Sequence, residues 1–403
     1  MSKGILRVGI VGNGQLGRMM IEEAAKLGLD FYTLGPGEKC PTSGIATYHI
    51  VSKDFSDTGA FTRLAQILGS PSEAAITHEL EHWSVEEGQR LEDLGFDVHP
   101  NLISLYNIQN KLRQKQILAK HGVRVAAFEE MRDIRDVLEW IEVHGSTAML
   151  KATNTSYDGY GNSLIKPGMS REHIESEFER LLNRSSTAKG GVYAEEVINF
   201  TKEISVNVAN SLNGDRAFYP VAENDHKRNV LFSTIAPARI SPQTVEAAQL
   251  LAGQTIDALS VLPAAGNYCV EMFVLPDGTL VVNEVAPRPH NSGHFTMEGC
   301  KTSQFENHIR GVVGLPLGST EMVDESALMW NILGEPDQSG KVSFTGVESA
   351  MKAGFAFHNY GKSSTKPWRK MGHMTATGSL GEMLSLNARR DGLIIRATAE
   401  PTP

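Results

Sequence analysis

Asn283-Glu284-Val285-Ala286-Pro287-Arg288-Pro289-His290-Asn291-Ser292-Gly293-His294 runs from the end of an apolar strand into a loop that holds a carboxylate, a guanidinium, imidazoles and an amide. Upstream, residues 268–274 are an apolar run interrupted by Glu271. Pro276-Asp277-Gly278 is a turn, and Leu280-Val281-Val282 resumes the apolar run, which is the pattern of a β-hairpin. The hairpin carries Glu271 and Glu284 on paired strands, facing the same way. Two such hard oxygen ligands suit Mg²⁺ held against nucleotide phosphates. A single isolated Glu would more simply neutralise an arginine. Two of them beside Arg288, His290, Asn291 and His294 make an active site the stronger reading.

Composition bounds what that site serves. A chain of 403 residues is too long for one core and predicts two or three domains. Hydrophobic residues at 41% and charged residues at 21% are the make-up of an ordinary soluble globular protein. No apolar stretch is long enough to cross a bilayer, and Met1-Ser2-Lys3-Gly4 leads straight into a strand without the apolar region of a signal peptide. A cytoplasmic location with no membrane partner is the expectation. Cys40, Cys269 and Cys300 are scattered, odd in number and lack metal-ligand spacing, so they are expected as buried thiols. A net charge of -9 argues against a nucleic-acid partner and leaves a small molecule.

The N-terminal part alternates strands and helices. Residues 5–11 read as a strand, Gly12-Asn13-Gly14-Gln15-Leu16-Gly17 as a glycine turn, and the pattern through Leu27 as a helix. G-x-G-x-x-G spacing lets backbone amides at a helix N-terminus approach an anion. The next strand ends in Gly35-Pro36 where a dinucleotide fold needs a ribose-binding acid. The turn therefore reads as a phosphate or substrate cradle on a Rossmann-like domain, and a nicotinamide oxidoreductase is a distant alternative. Residues 74–82 form a strand that delivers Glu79 and Glu81 to the carboxyl edge of the sheet, with Glu81 readable as a solvated side chain. Residues 106–121 read as one helix stopped by Gly122, with Lys115 on an exposed basic face.

A second α/β unit begins near Val123. Residues 147–151 form a strand delivering Lys151, and the small-residue loop 153–162 is suited to close over phosphates. Residues 191–197 are a strand, and the alternation of residues 200–208 predicts one buried face and one face over a ligand. From about Leu315 a third piece offers strands near 329–334, 354–361 and 371–377, read as a small sheet completing the cleft, with Lys366, Trp368 and Lys370 readable equally as surface positions or as part of the site.

The order of these pieces points to a family. Gly12 to Met19, Thr77 to Glu81, Lys151, Tyr157-Asp158-Gly159, Glu195 with Glu203, Glu223-Asn224-x-His226, residues 283–294, Thr302-Ser303-Gln304-Phe305-Glu306 and Tyr360-Gly361-Lys362 together resemble the N5-carboxyaminoimidazole ribonucleotide synthetases. These are ATP-grasp ligases of purine biosynthesis, and the resemblance covers nearly the whole chain. It implies an α/β ATP-grasp fold with a Rossmann-like domain over residues 1–103, an ATP-grasp domain over 104–314, a small β-rich domain over 315–395 and a linker-like tail over 396–403. Fungal relatives carry a fused carboxylase (mutase) domain, so the chain could be one half of a bifunctional protein. A homodimer is expected by the same resemblance.

The resemblance also implies roles. Lys111 and Lys151 hold ATP phosphates under the loop of Tyr157, Gly159 and Gly161. Glu195 and the backbone to Val197 meet the adenine, Glu203 takes the ribose hydroxyls, His226 is a further ATP-binding position, and Glu271 with Glu284 binds Mg²⁺. Gln15, Leu16, Glu79, Tyr157 and Asp158 line the site for 5-aminoimidazole ribonucleotide, whose phosphate is gripped by Lys362 and Arg369. Arg288, His290 and Asn291 orient bicarbonate or carboxyphosphate, and Asp158 and His290 are both candidates for the proton acceptor.

Two positions depart from the family pattern. Tyr160 stands where the loop normally carries a cation, and Asn210 stands where an arginine is expected after the Glu203 strand. Each loss of charge is worth about 2 kcal/mol of transition-state stabilisation by analogy with removing a preorganised donor. A turnover-impaired nucleotide-binding relative, kept as a scaffold beside a carboxylase, is therefore the alternative. The departure at Tyr160 predicts a kcat that rises on Tyr160→Arg.

Overall fold

A computed structural model describes residues 4–145, 147–154, 161–185 and 190–400. Its first layer is a parallel sheet of β1 (Arg7–Val11), β2 (Asp30–Pro36), β3 (Tyr48–Ser52), β4 (Ala74–His78) and β5 (Asp97–Val98), in the order β3-β2-β1-β4-β5. The central strands β1 and β4 are buried on both faces because helices cover both, while the edge strand β3 exposes Tyr48 and Val51. α1 (Gln15–Ala24) lies against one face, while α2 (Thr58–Leu68) and α3 (Val85–Asp93) cover the other. At the β1–α1 turn, Gly12 has φ +129, and a Cβ there would meet Glu79 Cγ at 2.1 Å, so only glycine fits.

Two helices follow where the sequence reads as one. α4 (Leu102–Gln109) and α5 (Lys111–Lys120) are separated at Asn110, whose extended backbone and side chain, accepting from Arg113 N at 2.8 Å, start a new helix. The next unit is an antiparallel sheet of β6 (Phe128–Met131), β7 (Ala148–Ala152), β8 (Asn162–Ile165) and β9 (Val192–Glu196), ordered β6-β9-β7-β8. α6 (Ile134–His144) and α7 (Arg171–Ser185) pack on it through Val137, Trp140, Phe178 and Leu181.

The largest sheet contains β10 (Lys202–Asn210), β11 (Arg216–Phe218), β12 (Ala222–Lys227), β13 (Val230–Ala236), β14 (Gly266–Val274), β15 (Leu280–Ala286), β16 (Ser326–Leu333), β18 (Ala356–Asn359) and β20 (Lys370–Gly378). Its order is β15-β14-β10-β12-β13-β16-β20-β18, with β11 beside β10. The C-terminal strands therefore extend this sheet instead of building a separate one, because β13 leaves its edge to pair with β16 from Ser233 to Ala236. β10 is central: its Ile204, Val206 and Val208 face packs under α8 (Pro242–Leu259), and its other face is buried at Ser205, which donates to Ser292, but meets the cleft at Glu203. β17 (Gly340–Thr345), β19 (Ser364–Thr365) and β21 (Arg396–Ala399) form a small three-stranded sheet. Residues 396–399 of the expected linker are thus a strand, paired with β17 from Val342 to Thr345.

α9 (Thr296–Gly299) and α10 (Gln304–Val313) follow the loop after β15, and α10 bridges the first sheet and the largest one. On α10, His308 Nε2 lies 2.7 Å from Thr77 Oγ1, and its Nδ1 accepts from Asn267 N at 2.9 Å. One buried imidazole thus joins β4 to β14. Among the described residues no helix is long and apolar enough to cross a membrane. Cys269 and Cys300 are buried as expected, Cys40 is partly exposed, and all three are free.

Candidate active site

A cleft of about 910 Å³ opens where the three units meet. The β14–β15 hairpin forms its floor. Glu271 and Glu284 are direct cross-strand partners, so their side chains leave the sheet on one face. The next pair is Met272 with Val282, which leaves Asn283 as the extra residue of a bulge beside the acids. Burial holds the Glu271 carboxyl above its usual range, with Glu284 and Glu203 raising it further against His226 and Lys111. Two carboxylates on one face of the hairpin, the Glu271 one held back from ionising by burial, offer oxygen donors that fit a hard divalent cation.

Lysines face these acids. Lys111 opens α5 and its Nζ lies 2.8 Å from Glu284 Oε2. Burial disfavours the ammonium, yet Glu284 and Glu271 hold its pKa above the ordinary value. Lys151 on β7 lies 2.6 Å from Glu195 Oε2, and Lys115 lies 2.7 Å from Glu195 Oε1. Lys115, expected on an exposed face, is 2% exposed. Burial alone would raise the Glu195 carboxyl, but Lys151 and Lys115 bring it down to about 2. Its carboxylate is therefore occupied by two ammonium groups, not aimed at an adenine edge as expected. Lys115 was legible as the i+4 neighbour of Lys111 on the same helical face.

Glu203 and His226, expected separately as ATP-binding positions, come together. Glu203 and His226 are hydrogen-bonded across β10 and β12 through Oε2 and Nδ1, and both line the cleft. Burial opposes the imidazolium, while Glu203 and Glu271 raise the His226 pKa above its ordinary value. Val197 lines the cleft on the segment after β9. Phe200 and Phe273 stack with ring centroids 4.6 Å apart at its edge, a pair the sequence reading missed although Phe273 follows Glu271 by two positions along the strand.

The other wall is cationic. Arg288 Nε lies 2.8 Å from Glu81 Oε1, so Glu81 is ion-paired and not a solvated side chain. His290 Nδ1 is 2.9 Å from Ser292 Oγ and its Nε2 is 3.6 Å from Glu271 Oε1. Burial, reinforced by Arg288, lowers its pKa well below the ordinary value, so the ring is neutral. Asn291 exchanges hydrogen bonds with Asn331 on β16 at 2.9 and 2.6 Å. Its amide anchors the loop, in place of the bicarbonate contact expected of it. Lys362 Nζ donates to Lys370 O at 2.7 Å, and Arg369 Nη1 donates to Ser364 O at 2.7 Å. Both line the cleft together with Lys370, which the sequence left open between surface and site.

Two expectations change outright. The amides of the glycine turn do not face an open cradle: Glu79 accepts from Gly14 N and, at 2.6 Å, from Gly17 N. The protein's own carboxylate occupies the anion position, which removes the basis for a dinucleotide pyrophosphate there, while Gln15, Leu16 and Glu79 still line the cleft. Asn210 sits at the far end of β10 from Glu203, accepting from Arg216 Nε at 2.7 Å, and does not line the cleft. Its substitution removes no charge from this site. Gly161 O accepts from Ala152 N at 2.9 Å, tying the start of β8 to β7. Tyr157, Asp158, Gly159 and Tyr160 lie outside the described residues.

With this geometry in hand, the likenesses to known proteins are informative. A ribonucleotide synthetase preATP-grasp domain matches residues 5–109, an ATP-grasp domain matches 116–305, and a phosphoribosylaminoimidazole carboxylase C-terminal domain matches 327–385. The N5-carboxyaminoimidazole ribonucleotide synthase of Bacillus subtilis is 34% identical over 91% of this chain and 90% of its own length. The chain belongs to the N5-carboxyaminoimidazole ribonucleotide synthase family. Another relative of this synthase family, the chloroplastic phosphoribosylaminoimidazole carboxylase of Vigna aconitifolia, is 35% identical over 92% of this chain, which spans 64% of that protein. The N5-carboxyaminoimidazole synthase of Aspergillus clavatus, solved in complex with ADP and 5-aminoimidazole ribonucleotide, superposes with a TM-score of 0.83 at 28% identity. That alignment covers 97% of this chain and 99% of the other.

Proposed function

We propose that this synthase-family chain carboxylates 5-aminoimidazole ribonucleotide on its exocyclic amine, using ATP and bicarbonate. A bicarbonate oxygen takes the γ-phosphoryl group from ATP, forming carboxyphosphate and releasing ADP. Carboxyphosphate breaks its C–O bond to give CO₂ and phosphate, and the amine nitrogen forms the new C–N bond as it loses a proton. The observation that carries this reading is the facing arrangement of the Glu271–Glu284 hairpin pair and the two carboxylate-held lysines, Lys111 and Lys151, across one cleft.

Phosphoryl transfer needs alignment and charge neutralisation more than covalent help from the protein. Lys111 and Lys151 exchange their carboxylate partners for phosphate oxygens, and Phe200, Phe273, Met149 and Met272 offer the apolar lining a purine base requires. Glu203 and His226 take the ribose hydroxyls. Mg²⁺, held by Glu271 and Glu284, would supply charge neutralisation at those phosphates. Arg288, Lys362, Arg369 and Lys370 form the cationic wall for the nucleotide phosphate and for bicarbonate. Asp158 and His290 are the candidate proton acceptors, and the burial and flanking cations that keep His290 neutral make it a weaker base than an ordinary imidazole. Support from relatives is of two kinds: the Aspergillus protein was solved with ADP and 5-aminoimidazole ribonucleotide together, and the Bacillus protein is named for this step.

The test is ADP release at saturating bicarbonate, with and without 5-aminoimidazole ribonucleotide. Release stimulated by the nucleotide is expected; ATP binding without turnover would favour the impaired-scaffold alternative, and release indifferent to the nucleotide would overturn the reading.

A further inference from the structure

Behind the wall that carries Lys362 and Lys370 lies a second group of ligating side chains. His358 on β18 and His373 on β20 are cross-strand partners, so both side chains leave the sheet on the same face, with rings stacked 4.4 Å apart at 11°. α9 packs on β20 and contributes Glu298, whose Oε1 lies 2.6 Å from His358 Nε2. One ligand atom from each of Glu298, His358 and His373 lies within 4.8 Å of the other two.

Two of these side chains hold buried polar atoms that are otherwise unused. His373 is 0% exposed and makes no hydrogen bond through Nε2, and the second oxygen of Glu298, Oε2, is buried without a hydrogen-bond partner. A buried acceptor without a partner keeps its desolvation cost, so one on each of two residues of the same cluster calls for a missing partner. Both atoms are acceptors when the imidazole is neutral with its proton on Nδ1, so a positive ion satisfies what no donor among the described residues does. His373 Nδ1 lies 3.2 Å from Tyr360 Oη, the kind of outer contact that fixes the tautomer and orientation of a ligating imidazole. Glu23 on α1 adds another carboxylate within the field of Glu298 and His358.

We propose that Glu298, His358 and His373 form a binding site for a divalent transition-metal ion, best matched by Zn²⁺. Two imidazole nitrogens and one carboxylate suit Zn²⁺ and its neighbours in the first transition row, whereas Mg²⁺ demands oxygen ligands. Metal–ligand lengths near 2.0 Å place tetrahedral ligands about 3.3 Å apart, so the three atoms close in by side-chain rotation, and Glu298 exchanges its bond to His358 for the ion. Water fills the remaining position. Bound there, the ion clamps α9 to β18 and β20 and fixes the strands that lead into the Tyr360–Lys362 turn and into Lys370. The role is structural and separate from the hairpin acids.

The test uses the full chain, stripped by chelator, checked for folding by circular dichroism and titrated with Co²⁺ under excess Mg²⁺. One equivalent of Co²⁺ should give visible d–d absorption that Zn²⁺ abolishes, and Zn²⁺ should raise Tm. Both signals should disappear in His358→Ala, on the edge strand β18, and in Glu298→Gln, and should persist in Glu271→Gln. Absence of the absorption and of the Tm shift overturns the proposal. So does their persistence in His358→Ala and Glu298→Gln, or their loss in Glu271→Gln, which would move the ion to the catalytic cleft.

Discussion

At the residue scale, Glu195 shows how far identity alone carries. Its family role pointed to the adenine, and its neighbours Lys115 and Lys151 were read separately because strand and helix come from segments about 80 and 44 positions away. Only the fold brings both ammonium groups onto one buried carboxylate. Removing that charge leaves two buried cations without a counterion, so Glu195→Gln should cost about 3–5 kcal/mol in denaturant unfolding near neutral pH. The pH dependence has a definite sign. The folded carboxyl titrates near 2 against an ordinary 4.5, so its contribution is complete above about 4.5 and is lost as pH falls toward 2. The stability gap between the parent and Glu195→Gln should narrow across that window, and a constant gap would show that Glu195 is not the ion-pair centre. The hairpin acids were legible because they sit in a short segment whose neighbours share their chemistry, whereas the pairing of His226 with Glu203 across β10 and β12 was not.

At the scale of elements, the hairpin was readable in detail because apolar alternation and a Pro-Asp-Gly turn set its register, and register fixes which side chains share a face. The bulge at Asn283 was not, since nothing in period-two patterning marks an extra residue. Glu271→Gln should lower kcat/KM by about 100-fold or more, the several kcal/mol a divalent ion contributes at a transferring phosphate, with folding retained. Because burial holds the Glu271 carboxyl above its usual range, apparent affinity for Mg²⁺-nucleotide should begin to fall at a higher pH than an ordinary carboxylate would give. A titration of nucleotide affinity against pH, repeated in Glu271→Gln, checks this. The glycine turn is the contrasting case. Its spacing was seen, but its occupant comes from the end of β4, 65 residues on, and so was misread. Glu79→Ala leaves the Gly14 and Gly17 amides without an acceptor and should cost about 1–3 kcal/mol of stability, measured by chemical denaturation. No loss would mean that those amides find water or ligand readily.

At the scale of the molecule, the order of motifs carried the family assignment, while sheet continuity escaped it. The C-terminal strands read as separate because their sequence offers no sign of which edge they will meet. The edge of β13 is open to them, and pairing from Ser233 to Ala236 merges two expected sheets into one. This continuity matters to function, since it sets Lys370 on β20 and the Lys362 turn in the same cleft as the hairpin acids. The proposed reaction stands on one step, in which this cleft transfers a phosphoryl group to bicarbonate before carbon reaches the amine. Turnover with ¹⁸O-labelled bicarbonate, followed by mass analysis of the released phosphate, reads that step. One labelled oxygen is expected in each phosphate formed in the presence of 5-aminoimidazole ribonucleotide; phosphate free of label would rule the step out.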